Sequence, residues 1–408
     1  MRPAARVAGE SLSPIRRMSL GAPADAINLG LGEPGWSLPT GQALGDSSTP
    51  TGQAVGDLST VTGQAVDDLS YGPNTSDPAL VRAVASFAGT DDLAQVMVTA
   101  GSQAALFALF QSYVEVGSVV LVPDPGFVAY ATLARLCGAT PVGYPLGPGG
   151  DLDADALTDV LGEHGHTSLV VLNHPANPTG GLASEAALDR VARACADRDV
   201  LVVSDEVYAE LWVDERPASL RDVTGQGVVF GSMSKAFAAP GLRIGWASGD
   251  ADVLAPARLV HNAMTTAPSR LSQRAALALL ERADEVLPAA REEVRARWEC
   301  VDLVAPHLVG PHLRSPGIRP SETSPWQIEP PLNSGQRAGF YLWLPLTDDV
   351  DPADTEAFAL RLRDEGGVTT IPGTAFGARG AGFLRVSLGG PVDDLEEGLR
   401  RLAPWWKG

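Results

Sequence analysis

From Asp92 to about Leu280 the chain repeats one pattern, a short apolar run rich in β-branched residues followed by a longer stretch with helical periodicity. The candidate strands are 96–99, 118–122, 140–144, 168–172, 200–204, 227–230 and 243–247. Successive side chains of a strand point to opposite faces, so a run that is apolar at every position needs cover on both. That selects an α/β fold, a mostly parallel seven-stranded sheet in an α/β/α sandwich. Residues 102–113 and 184–198 read as crossover helices, each opened by a serine able to cap a helix N-terminus.

Beyond Leu280 the character changes to a charged helix over 282–298, a Pro-rich stretch, strands near 340–344 and 384–388, and a short terminal helix. With the N-terminal segment this half forms a second, smaller α+β domain. The expected division is an N-terminal segment 1–45 packing with the small domain, a large domain 46–280 and the small domain 281–408. Residues 316–336, with several prolines and an Asn-Ser-Gly turn, read as a long irregular surface loop. Within 40–70 a segment beginning Thr-Gly-Gln-Ala recurs at Thr40, Thr51 and Thr62, a spacing of 11 residues. The glycine in each copy weakens a continuous helix by about 1 kcal/mol, and three short copies are too few for a solenoid. They read as a tandem duplication lengthening a surface connection, with a lid or interface element as the functional alternative.

The 408 residues carry 30 basic against 49 acidic side chains, a net charge of −19, and only two of the basic residues, Lys235 and Lys407, are lysines. Nucleic acids and anionic membranes are bound through a dense cationic face, so neither is an expected partner. Three widely separated cysteines, Cys137, Cys195 and Cys300, fit buried thiols in a reducing compartment better than a disulfide framework. No apolar run reaches about 18 residues and 1–20 contains no apolar leader core, so the expected location is cytoplasmic.

Lys235 stands in surroundings wrong for an ordinary lysine. Between Val223 and Gly249 the only charged residues are Lys235 and Arg243. An ammonium in such a segment loses hydration, which favours the free amine and makes it a nucleophile toward a carbonyl. A lone lysine in a loop more often snorkels to solvent, and its neighbours decide the matter here. The stretch Ser232-Met-Ser-Lys235-Ala-Phe-Ala-Ala-Pro-Gly-Leu-Arg243-Ile-Gly245 resembles the signature of the class I/II aminotransferases, which use pyridoxal 5′-phosphate on the fold-type-I scaffold. Further elements of that family follow in order: Gly30-Leu-Gly32-Glu-Pro, Tyr71-Gly-Pro, Thr99-Ala-Gly-Ser-Gln103, Pro123-Asp-Pro-Gly-Phe127, Asn177-Pro-Thr-Gly180, Ser204-Asp205-Glu-Val-Tyr208, Pro372-Gly373 and Phe383-Leu-Arg385-Val-Ser387. The resemblance covers nearly the whole chain.

The resemblance implies a role for each position. Lys235 would form the internal aldimine with the cofactor aldehyde and move the substrate's Cα proton. Asp205 would face the ring nitrogen, and Tyr208 and Asn177 the phenolic oxygen. Gly101, Ser102 and Gln103, opening a helix after a strand, would present backbone N–H groups and a helix dipole to the phosphate, with Ser232 and the forked guanidinium of Arg243 completing the cradle. Phe127 would stack on the ring, Arg385 would pair with the substrate α-carboxylate, with Asn177 beside it, and Gly32 would close over it. Tyr71 matches the tyrosine that reaches the partner subunit's phosphate, which implies a homodimer with shared sites. The chain departs from the family at Ser76, where glycine is usual.

The implied activity is transfer of an α-amino group to a 2-oxo acid. Elimination, replacement or cyclisation on an amino acid, in the manner of aminocyclopropane-carboxylate synthases, carbon–sulfur lyases or natural-product cyclases, would use the same cofactor contacts. A regulator built on this fold would carry a DNA-binding domain, for which the roughly thirty residues before Gly32 leave no room, and the charge opposes it. His164 and His166 lack further ligands for a metal site. Gly30-x-Gly32 is no dinucleotide fingerprint, because Glu33-Pro34 follows where a helix would begin. Arg270 is a candidate second cation for a dicarboxylate, and Trp36 and Phe376 are candidates for an apolar pocket wall.

Overall fold

The computed structural model describes residues 4–8, 10, 13–36, 71–308, 336–347 and 349–406. The 40–70 repeats and all but Gln336 of the 316–336 stretch lie outside these. All seven expected strands form: β2 Val96–Thr99, β3 Val119–Asp124, β4 Thr140–Pro145, β5 Thr167–Asn173, β6 Leu201–Asp205, β7 Val228–Ser232 and β8 Gly245–Ser248, following a short β1 Ile27–Asn28. They make one sheet in the order β2-β8-β7-β6-β5-β3-β4. Every pairing from β7 to β4 is parallel, and only β8 runs antiparallel to its neighbours β2 and β7.

Helices cover both faces, as fully apolar strands require. On one side Leu106, Phe110 and Leu254 of helices Ser102–Tyr113 and Ala251–Thr265 pack on Val120 and Phe230. On the other, Leu157, Leu188 and Val191 of helices Ala154–Glu163 and Glu185–Ala196 pack on Leu121 and Val170. Ser184 caps the second of these, its side chain accepting from the Ala187 N–H.

A second, antiparallel sheet of three strands has the order β11-β12-β9, with β9 Tyr341–Pro345, β11 Ile371–Pro372 and β12 Phe383–Ser387. Arg385 sits mid-strand between Ile371 and Trp343. The N-terminal segment joins this half through β1, which pairs in parallel with β10 Val368–Thr369. The helix expected over 282–298 is longer, Ala283–Val304, packs on the terminal helix Val392–Leu402, and buries Val294, Trp298 and Val301.

Candidate active site

The parallel strands end together at one edge of the sheet, the usual position for a site in an α/β fold. Asp124 ends β3, Asn173 ends β5, Asp205 ends β6 and Ser232 ends β7. They open into a cavity of about 1190 Å³, whose lining also includes Gly32, Ser102, Gln103, Phe127, Asn177, Tyr208, Lys235, Arg243 and Arg385. The fold therefore gathers residues from position 32 to 385 around one space.

Lys235 follows β7, and its Nζ donates to the Gly32 carbonyl at 2.6 Å and lies 5.4 Å from the centre of the Tyr208 ring. Tyr208 is buried, its hydroxyl 2.9 Å from that of Tyr341. Burial, with Tyr341 beside it, pushes the Tyr208 phenol well above its ordinary pKa.

Asp205 is 6% exposed. Its Oδ2 accepts from the Tyr130 hydroxyl at 2.7 Å, while its Oδ1 is buried with no partner among the described residues. Burial raises the Asp205 pKa, with the Tyr130 hydrogen bond, the Val207 N–H and the nearby Lys235 charge opposing. A buried carboxylate oxygen without a donor is costly, and one left at a cavity wall calls for a protonated group from a ligand. Phe127 packs edge-on against Tyr130, with ring centres 5.6 Å apart.

Gly101 adopts φ +88°, open to glycine and strained for other residues, and a Cβ there would come within 2.6 Å of Arg243 Nη2. The first amides of the helix Ser102–Tyr113 have no partner within the helix. With Ser232 and Arg243 they make a concave, positively polarised turn suited to a phosphate. Arg243 itself donates to Pro240 O at 2.9 Å.

Arg385 is 1% exposed, and burial lowers its pKa. Its Nη1 donates to Asn177 Oδ1 at 2.7 Å and its Nη2 to Gly30 O at 2.5 Å, while Nε is buried without a partner among the described residues. The guanidinium lies 4.5 Å from the Tyr341 ring centre and 4.9 Å from that of Phe376. Among the described residues no carboxylate pairs with it, so a buried cation lines the cavity held by neutral oxygens and aromatic faces. Such a group favours an anionic ligand.

Tyr71 is not brought to this cavity; its side chain is 93% exposed. Trp36 is no pocket wall either, because it packs edge-on against Phe340 beneath the Arg297 guanidinium. Phe376 does line the cavity, and Arg270 does not. Ser76 is buried at φ +73°. The chain thus places a serine in a left-handed backbone conformation, which is open to glycine and strained for other residues. Tyr130 and Tyr341 escaped the sequence reading because they meet their partners Asp205 and Tyr208 across 75 and 133 residues.

The fold and site define an enzyme in which an amine, a buried carboxylate, an anion cradle and a buried arginine share one cleft of an α/β scaffold. The chain belongs to the aminotransferase class I and II family, whose profile matches residues 35–402. It is 30% identical to the LL-diaminopimelate aminotransferase of Desulforudis audaxviator over 344 residues, 81% of each chain. It is 33% identical to an arginine–pyruvate transaminase of Pseudomonas aeruginosa, covering 76% of this chain and 75% of that one. Among solved structures, an aspartate aminotransferase of Thermus thermophilus superimposes with a TM-score of 0.80 at 25% identity over 99% of this chain and all of that one. The N-succinyldiaminopimelate aminotransferase of Mycobacterium tuberculosis gives 0.79 over the same share. The chain is an aminotransferase with the fold-type-I architecture, in a family known to depend on pyridoxal 5′-phosphate.

Proposed function

We propose that this aminotransferase moves the α-amino group of an amino acid to a 2-oxo acid with pyridoxal 5′-phosphate held on Lys235. The observation that carries this reading is the unpartnered Oδ1 of Asp205, facing the same cavity as the Lys235 amine and the buried Arg385. The residues fit the cofactor. Asp205 would hold its ring nitrogen, Asn177 and Tyr208 its phenolic oxygen, and Phe127 its ring, while the Gly101–Ser102–Gln103 turn, Ser232 and Arg243 would hold its phosphate. When bound, the cofactor supplies an electron sink for the charge left at the substrate Cα.

The chain's own residues do the rest. Arg385 turns its fork from Asn177 and Gly30 to the substrate α-carboxylate, which fixes the Cα–H bond toward Lys235. Lys235 Nζ, released from the Gly32 carbonyl, takes the Cα proton. Burial raises the Tyr208 pKa, so its hydroxyl stays protonated and can donate to an acceptor in the site. The segment at Gly32 narrows the entrance and excludes water.

The proposal extends to the assembly. Tyr71, exposed here, reaches the phosphate site of a second copy in a homodimer with shared active sites. The two sheets support a large domain 46–280 and a small domain 281–408 joined by the N-terminal segment 1–45. Among the described residues no helix is long and apolar enough to cross a membrane, and the cysteines are unpaired; we propose a cytoplasmic enzyme of small amino and oxo acids, without nucleic-acid or membrane partners.

Borohydride reduction of the loaded enzyme followed by peptide mass spectrometry tests the attachment. A pyridoxyl group on Lys235 is expected, and a Lys235→Ala protein that still trapped the cofactor covalently would overturn the assignment.

A further inference from the structure

We propose that His261 is a positioning residue for the phosphate-binding turn, acting through the backbone amide of Ala100; this rests on the cofactor reading above. The turn Thr99–Ala100–Gly101 joins β2 to the helix Ser102–Tyr113. Two of its hydrogen bonds are local: Thr99 Oγ1 donates to Gly101 O at 2.9 Å, and the Gly101 N–H donates to Thr99 O at 2.8 Å. The third is not. The Ala100 N–H donates to Nε2 of His261, 161 residues away on the helix Ala251–Thr265, at 3.2 Å.

A ring nitrogen that accepts carries no proton, so this imidazole is neutral with its hydrogen on Nδ1. The side chain is 2% exposed, and burial lowers its pKa in the same sense. The ring does not line the cavity. Its influence passes through the turn.

That turn has little slack. Gly101 passes so close to Arg243 that a Cβ would stand 2.6 Å from Nη2, and the next two amides, of Ser102 and Gln103, are the ones that would receive a phosphate. Without an acceptor at His261 the Ala100 N–H turns to find another, and the neighbouring amides turn with it. His261 therefore sets the aim of the phosphate donors from a helix that contributes nothing else to the site.

The test uses the full-length protein, stripped of cofactor and titrated with pyridoxal 5′-phosphate, with ³¹P spectra of the bound form. His261→Leu fills the volume without an acceptor, and His261→Met repeats the test should the leucine variant not fold. His261→Gln returns an oxygen to nearly the same point. Either apolar variant is expected to raise the cofactor dissociation constant about tenfold and shift the ³¹P resonance, while the glutamine variant stays within about threefold of wild type. Wild-type affinity with an unshifted resonance in the apolar variants overturns the inference, as does a glutamine variant that loses as much as they do. A wild-type protein that takes up no cofactor contradicts the cofactor reading itself, which is a separate result.

Discussion

At the scale of single residues, Asp205 shows how function is placed at the expense of stability. Its burial raises the carboxyl pKa, so the folded-state value lies above the unfolded one and ionisation costs stability as pH rises through that range. Asp205→Asn removes the charge yet still accepts from Tyr130. At pH 7 we expect the cofactor-free variant to melt no lower than wild type in calorimetry, while transamination falls about 10²–10³-fold. Ser76 is a second case. A serine at φ +73° is strained, and its buried hydroxyl has no partner among the described residues. Ser76→Gly is expected to stabilise the protein by about 1 kcal/mol in denaturant titration. Legibility at this scale followed sequence distance. Lys235 stood out because its neighbours carry no charge, and Asp205 because it ends an apolar strand. Tyr130, Tyr341 and His261 gave no local signal, since each acts on a partner brought near only by the fold.

Among the elements, the segment 29–36 is the one the sequence revealed least. It has no periodicity, and its fixed course comes from elsewhere: Ser387 N–H donates to Leu29 O at 2.6 Å and Gly35 N–H to Gly389 O at 2.6 Å. Its carbonyls at Gly30 and Gly32 hold two of the site's cations, Arg385 and Lys235. A Cβ at Gly32 would collide with the Tyr341 hydroxyl, which explains the glycine. Arg297, 2% exposed, clamps the far end by donating to Gly390 O and Glu293 while lying 4.8 Å from the Trp36 ring centre. Arg297→Met is expected to cost about 2 kcal/mol of stability and to raise KM for the amino acid more than it lowers kcat, measured by steady-state kinetics. The strands of the large sheet, by contrast, were legible to within two residues, because burial on both faces of the inner strands demands apolar runs; β4, at the edge with Thr140 and Gly143 exposed, is only partly buried. The two-residue strands β1, β10 and β11 are too short to leave a pattern.

For the molecule as a whole, acid should unfold the chain partly through Glu206. Complete burial pushes its carboxyl up, but His174 at 3.3 Å, the Leu220 N–H and Ser219 outweigh this and leave the pKa below its ordinary value. Its folded-state pKa is therefore below the unfolded one, so its contribution is full above the ordinary 4.5 and is lost as pH falls below it. Glu206→Gln is expected to lower the melting temperature at pH 7 and to flatten its decline between pH 5 and 3. The assembly makes its own prediction. In the proposed homodimer, hybrids of inactive Tyr71→Ala and Lys235→Ala chains should regain activity, because one of the two sites would be intact; hybrids as inactive as either parent would place Tyr71 outside the site. The central claim is that Lys235, Asp205 and Arg385 serve one transamination, and a single half-reaction tests it most directly. Loaded enzyme mixed with an amino acid it accepts, in the absence of any oxo acid, should release one 2-oxo acid per active site and then stop with the cofactor aminated. Release of ammonia, or continued turnover without an acceptor, would contradict the account in favour of elimination or cyclisation.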